Sequence, residues 1–250
     1  MNGDISKENY ALSTSDYQTL TSSCTLFIHS AADVSFTNPF HSAIKSNLMG
    51  TVHSINLAKE CPLLKTFCYV STAYVSSHQR FTQYKHEAKH VELPFEIDGL
   101  IKAVKTNNNQ ELYSYEAKMK SLHWPNTYVM SKACAEDYVY QYHDELNVVV
   151  VRPSMIASAW KDLSQRGWNM APGSGATLCC YAIALGGLTV GIINENCINS
   201  LDLVPSDYCV NVILATVATH THTVITNENE NEEKKLHIYY AALGSLRPRI

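Results

Sequence analysis

Thr66-Phe67-Cys68-Tyr69-Val70-Ser71-Thr72 is a short apolar run that closes on two small hydroxyl residues. Two other runs read the same way. Upstream lies Leu26-Phe27-Ile28-His29-Ser30-Ala31-Ala32, and downstream lies Val148-Val149-Val150-Val151-Arg152-Pro153-Ser154. Apolar runs of this length without polar alternation are the pattern of strands buried on both faces, as in a parallel sheet. Between them, residues 40–60 carry Ile44, Leu48, Val52, Ile55 and Leu57 at helical spacing, and residues 126–145 and 205–219 read as further helices. Residues 236–242 read as a last strand. Strands alternating with helices predict an α/β fold, a doubly wound parallel sheet with helices on both faces.

Composition bounds the function. The chain has 250 residues, enough for one domain with a sizeable core, and 46% of them are hydrophobic. A net charge of -4 offers no basic field for nucleic acid. Eight cysteines are scattered without Cys-x-x-Cys spacing and no signal peptide precedes them, which suits a reducing, cytoplasmic setting with free thiols. Cys179-Cys180 and Cys68 read as core residues, and no cysteine has an evident activating partner for thioester chemistry. The uncharged stretch from Asn169 to Asn194 is long enough to span a membrane, but its glycines and threonines favour a buried helix and turn that could wall an acyl channel.

The chemistry points to Tyr128 and Lys132 in Pro125-Asn126-Thr127-Tyr128-Val129-Met130-Ser131-Lys132. Residues four apart on a helix share a face. A lysine ammonium beside a phenol favours the phenolate and lowers its pKa. A strand-end hydroxyl such as Thr72 could then hold a carbonyl oxygen against both groups, an arrangement suited to hydride transfer. By itself a Tyr-x-x-x-Lys pair is weak in a chain with 15 tyrosines, and a surface phenol on an amphipathic helix is the plain alternative.

Further landmarks accompany this pair in order. They are Gly3-Asp4-Ile5, His29-Ser30-Ala31-Ala32, Asn47 with Gly50-Thr51, Val70-Ser71-Thr72-Ala73-Tyr74, Ala135-Glu136, Val151-Arg152-Pro153-Ser154, Gly167-Trp168 and Asp202-Leu203-Val204-Pro205. Together they resemble the extended short-chain dehydrogenase/reductases and, within them, the fatty acyl-CoA reductases. The resemblance implies a Rossmann-like fold and NADPH-dependent reduction of a long-chain fatty acyl-CoA, through the aldehyde, to the alcohol. It implies Thr72, Tyr128, Lys132 and Asn47 as catalytic residues. It places Asp4, Ile5, Ala31, Ala32, Ser71, Tyr128, Lys132, Pro153, Ser154 and Ile156 around the cofactor, and it allows attachment at peroxisome or endoplasmic reticulum. Asn47 is expected either to position strand backbone or a water, or simply to bond a preceding carbonyl as a mid-helix asparagine. Arg152 is expected to be structural and His29 a satisfied core histidine. No metal is implied.

The sequence departs from this family in one respect. No Gly-x-x-Gly-x-x-Gly loop is present, and Gly3-Asp4-Ile5 resembles the end of the third strand. The expectation is a single, N-terminally partial reductase domain over residues 1–250, with its first strands absent and the apolar edge of strand 24–30 left open. A polar insertion at 78–124, with a weak helical pattern near 111–122, and substrate-side segments at 157–200 complete it. Two alternatives stay open: a thioester-reductase domain acting on carrier-bound acyl groups, and a catalytically dead remnant. A sugar-nucleotide epimerase fits less well, because Ala73-Tyr74 follow Thr72 where those enzymes often carry Asp-Glu.

Overall fold

The computed structural model describes residues 1–79, 88–161, 202–226 and 236–242. Four strands form a parallel sheet in the order β1 (Leu26–His29), β2 (Thr66–Val70), β3 (Val148–Pro153) and β6 (His237–Ala241). A second, two-stranded parallel sheet pairs β4 (Met155–Ala157) with β5 (Leu203–Pro205). Every residue of β2 and β3 is buried, as their unbroken apolar runs require.

Successive side chains leave the sheet on opposite faces, and two cores result. Phe67, Tyr69, Val148 and Val150 meet two helices on one face. After α1 (Thr14–Ser23), which precedes β1, the first of these two, α2, runs as Phe40–Ala43, a π turn at Ile44–Leu48, and Met49–Lys59. The other, α5, spans Thr127–Gln141. Cys68, Val149 and Val151 meet α7 (Ser206–Thr226) on the other face through Cys209 and Val217. Burying a phenylalanine such as Phe67 contributes roughly 1.5–3 kcal/mol. Helices on both faces of a parallel sheet make the molecule the doubly wound α/β fold its sequence predicts.

Among the described residues β1 is an edge strand. Phe27 packs on the α2 face against Phe67 at 5.1 Å between ring centroids, whereas Leu26 and Ile28 are 45% and 41% exposed on the other. Gly3-Asp4-Ile5 lies in a turn rather than a strand. Ile5 packs on α2 at Gly50, where any Cβ would come within 2.9 Å of its side chain. His53 Nδ1 lies 3.0 Å from the Ile5 carbonyl oxygen.

Three segments differ from the sequence reading. The 78–124 stretch holds two ordered helices, α3 (Ile97–Lys105) and α4 (Asn109–Ser121), which bury Ile97, Leu100, Leu112 and Met119 in the main core. The α3 anchors recur at helical spacing, and the two helices pack on each other, α3 also on α5 and α4 on α2. Helix α5 stops at Gln141 and a separate turn, α6 (His143–Leu146), leads to Asn147. Asn147 has φ 48°, a left-handed conformation that asparagine tolerates. Helix α7 continues past 219 to Thr226, tied down by Thr221 bonded to Thr66 at 2.8 Å and by His220 on the Asn147 carbonyl at 3.2 Å. It is long and apolar enough to cross a membrane, yet here it lies against the sheet. The Gly167-Trp168 loop, Cys179-Cys180, the apolar 176–193 stretch and nearly all of the 157–200 segments lie outside the described residues.

Candidate active site

The site forms where β2 and β3 end. Helix α5 begins there because Asn126 caps it, its side chain accepting the Val129 N–H at 2.9 Å. That start places Tyr128 in the first turn and Lys132 one turn later. Ser71 and Thr72 leave the end of β2 beside β3, with the Ser71 N–H donating to the Val151 carbonyl at 2.7 Å. Pro153 ends β3, and the Ser154 hydroxyl reaches Asp202 at 3.2 Å. Ligands in open parallel sheets bind outside these carboxyl ends.

Thr72 and Tyr128 are brought together. Burial raises the Tyr128 pKa, and a hydrogen bond with the Thr72 side chain pulls it part of the way back. Lys132 does not direct its ammonium at that phenol. It donates to the Val70 carbonyl at 2.7 Å and lies over the Tyr69 ring, 4.2 Å from its centroid. Burial lowers the Lys132 pKa from 10.5 to about 7, opposed by Glu136 one turn further on. The expected depression of the tyrosine pKa is therefore not produced: desolvation outweighs the Thr72 hydrogen bond, and the β2 backbone has claimed the ammonium.

Asn47 lies in the π turn of α2, a distortion often found at functional sites. Its Oδ1 accepts the Asp33 N–H at 2.7 Å, and its Nδ2 donates to the Asp33 carbonyl at 2.9 Å and to Ser131 Oγ at 2.8 Å. Both amide protons are thus spent on protein. The residue ties the loop after β1 to α5 through the Asp33 backbone. Ser131 completes the tie by donating to the Tyr128 carbonyl at 2.8 Å. Asp33 and Ser131 escaped the sequence reading. Ser131 stands inside the Tyr128–Lys132 run, and its helical position beside the lysine was the available signal.

The remaining expected residues are dispersed around this centre. Ala31 and Ala32 lie in the loop that Asn47 holds, with Ala31 exposed. Ser71 Oγ is buried and unpartnered, and Ile156 is exposed on β4. Asp4 is an exposed turn residue whose carboxylate accepts from Ser6. Behind the site, Arg152 is wholly buried and grips Glu136 with two nitrogens. It also donates to Tyr240 Oη and to the Lys89 carbonyl, both at 2.8 Å, which makes it structural. His29 is a core histidine bonded to Thr51 Oγ1 at 3.0 Å, with its pKa pushed down by burial to about 3. Since the Thr51 hydroxyl donates its one proton to the Asn47 carbonyl, His29 Nε2 must be the donor in that pair.

Cysteine chemistry is disfavoured among the described residues. Burial pushes the Cys68 thiol up to about 12, and Cys24, Cys61, Cys134 and Cys209 shift the same way. No group of described side chains could hold a metal ion.

The comparisons with known proteins agree with this architecture. The terminal R domain of the myxalamid biosynthetic pathway superposes with a TM-score of 0.61 at 21% identity, over 96% of this chain and 48% of that one. The Bordetella bronchiseptica enzyme WbmF, solved with NAD+, superposes with a TM-score of 0.55 at 14% identity, over 97% and 58%. These likenesses establish the fold. By sequence, fatty acyl-CoA reductase 1 of Homo sapiens is 31% identical over 86% of this chain and 40% of its own length. Fatty acyl-CoA reductase 2 of Arabidopsis thaliana, a chloroplastic protein, is 27% identical over 99% and 42%. The chain thus spans less than half the length of these curated relatives. The family model described as male sterility protein matches residues 1–213. On that match and those relatives, the chain belongs to the male sterility protein family, the family of the fatty acyl-CoA reductases.

Proposed function

We propose that this chain carries the acyl-reducing centre of an alcohol-forming fatty acyl-CoA reductase that uses NADPH. The observation that supports the reading is the meeting of Thr72 and Tyr128 beyond the carboxyl end of β2, with Lys132 bonded to the Val70 carbonyl, in a member of this family. A thioester carbonyl oxygen placed between the Thr72 hydroxyl and the Tyr128 phenol would be held by two donors. A reduced nicotinamide, when bound, supplies the hydride. As negative charge develops on the oxygen, Tyr128 passes its proton to it and Thr72 stabilises it by hydrogen bonding. The product is a hemithioacetal, whose carbon–sulfur bond breaks to release the CoA thiol and leave an aldehyde. The same three residues would serve a second reduction to the alcohol.

The cofactor's nicotinamide end fits the residues present. Ser71 Oγ is an unpartnered buried hydroxyl at the strand end, able to meet a polar ligand edge. Pro153 and Ser154 stand at the end of the adjacent strand, and Lys132 is close enough to β2 to steady a ribose beside Tyr128. Palmitoyl-CoA reduction, followed as NADPH oxidation by the purified protein and its Tyr128→Phe variant, tests the reading. Activity that disappears in Tyr128→Phe supports it. Oxidation that Tyr128→Phe leaves intact, or no cofactor binding by either protein, removes it and favours a remnant.

A further inference from the structure

The loop after β1 does more than connect two elements. Asp33 organises it: one carboxylate oxygen accepts the Ser35 N–H at 2.9 Å and the other accepts from Asn38 Nδ2 at 2.6 Å. Both ends of the turn are then latched to α5. At Asp33 the latch is Asn47, which bonds Ser131 on that helix. At Asn38 it is Thr127, whose hydroxyl donates to the Asn38 carbonyl at 2.8 Å. Between the latches, the turn presents two apolar side chains to the outside, Val34 at 51% and Phe36 at 58% exposure. The Phe36 ring lies 5.6 Å from that of Tyr128, tilted by 39°.

Single exposed apolar residues are ordinary and need no purpose. This pair differs in its support. A six-residue turn is fixed by side-chain bonds at both ends, and what it fixes is an aromatic ring against the phenol proposed to meet the substrate carbonyl. A chain of methylenes leaving that carbonyl has to pass whatever stands next to Tyr128. A dry aromatic surface is the wall an alkyl chain requires.

From this arrangement we infer that Phe36, with Val34 beside it, forms the wall against which the first carbons of the substrate's acyl chain lie, and so helps set the preference for long acyl groups. The inference rests on the reductase reading for the identity of the ligand. Asp33, Asn38 and Thr127 act as positioning residues for that wall.

Isothermal titration of the purified chain with palmitoyl-CoA and with acetyl-CoA tests it, alongside turnover of both. Phe36→Ala should weaken palmitoyl-CoA binding roughly tenfold while changing acetyl-CoA by less than about twofold, and Phe36→Leu should restore most of the loss. Because Phe36 is exposed, neither variant should alter the unfolding midpoint. An equal loss for both thioesters, no loss for either, or a wild-type chain that binds palmitoyl-CoA no better than acetyl-CoA would overturn the assignment. The two proposals fail separately. A wild type that binds palmitoyl-CoA through Phe36 but oxidises no reduced cofactor keeps the wall and loses the reductase. A wild type that reduces palmitoyl-CoA with the chain-length profile of Phe36→Ala keeps the reductase and loses the wall.

Discussion

At the residue scale, burial governs the site's acid–base behaviour. The Tyr128 phenol stays protonated because desolvation outweighs its hydrogen bond with Thr72, which is the state a proton donor needs. Tyr128→Phe should lower the turnover number by about 10²–10⁴-fold with little change in stability, since it deletes one oxygen and keeps the ring against Phe36. Steady-state kinetics beside a urea melt would check both halves. Lys132 makes the opposite trade. Its folded pKa of about 7 lies below the ordinary 10.5, so between those values the unfolded chain binds the extra proton. Stability from this group therefore rises as pH climbs from 7 to 10.5, and the full cost of burying it is present below that window. Lys132→Met should accordingly stabilise the protein more, or destabilise it less, at pH 7 than at pH 10. Urea midpoints of both proteins at the two pH values decide this, and a difference independent of pH would reject it. The Tyr128–Lys132 pair was legible because helical spacing alone puts both on one face. The partner that captures the ammonium, the Val70 carbonyl, was not, because no residue type encodes which backbone oxygen a folded lysine will find.

At the scale of elements, the strands were the most readable part and the insertion was read only in part. Unbroken apolar runs identify β2 and β3 whatever surrounds them. Helix α3 carries Ile97, Leu100, Ile101 and Val104 at helical spacing, a signal the reading passed over, and α4 showed only a weak helical pattern because Met119, wholly buried, sits between two lysines in the sequence. The same tertiary logic explains Arg152. It joins β3 to α5 through Glu136, to β6 through Tyr240, and to the residues before α3 through the Lys89 carbonyl. A buried pair holding three elements should respond in a particular way to substitution. Glu136→Gln or Arg152→Met alone leaves a charge stranded and should cost about 3–5 kcal/mol, whereas the double variant should cost less than the sum of the two. Urea unfolding of the four proteins gives the coupling. Strict additivity would show that the pair is incidental and that Arg152 acts through its other bonds.

At the scale of the whole molecule, β1 and β6 are the two edge strands of the sheet among the described residues, and β1 shows more aliphatic surface. Strand β6 takes the flank of β3, with α7 beneath it. Strand β1 has a partner only in β2 among the described residues, and its α7-facing side shows Leu26 and Ile28 to the outside. Parallel sheets are ordinarily covered on both faces, so this corner is where the fold is least self-sufficient. An exposed apolar edge strand is also the usual seed of edge-to-edge pairing between copies. The 250-residue chain should therefore self-associate as its concentration rises, and a charge on that surface should oppose it. Ile28→Lys is the suitable change, because Ile28 faces outward while its neighbour His29 carries the Thr51 bond. Sedimentation velocity across a concentration series should show the variant monomeric where the parent is already associated, with both melting at similar temperatures. If the two proteins associate equally, the contact lies elsewhere, and the exposed side of α7 around Val210 and Leu214 is the next surface to charge.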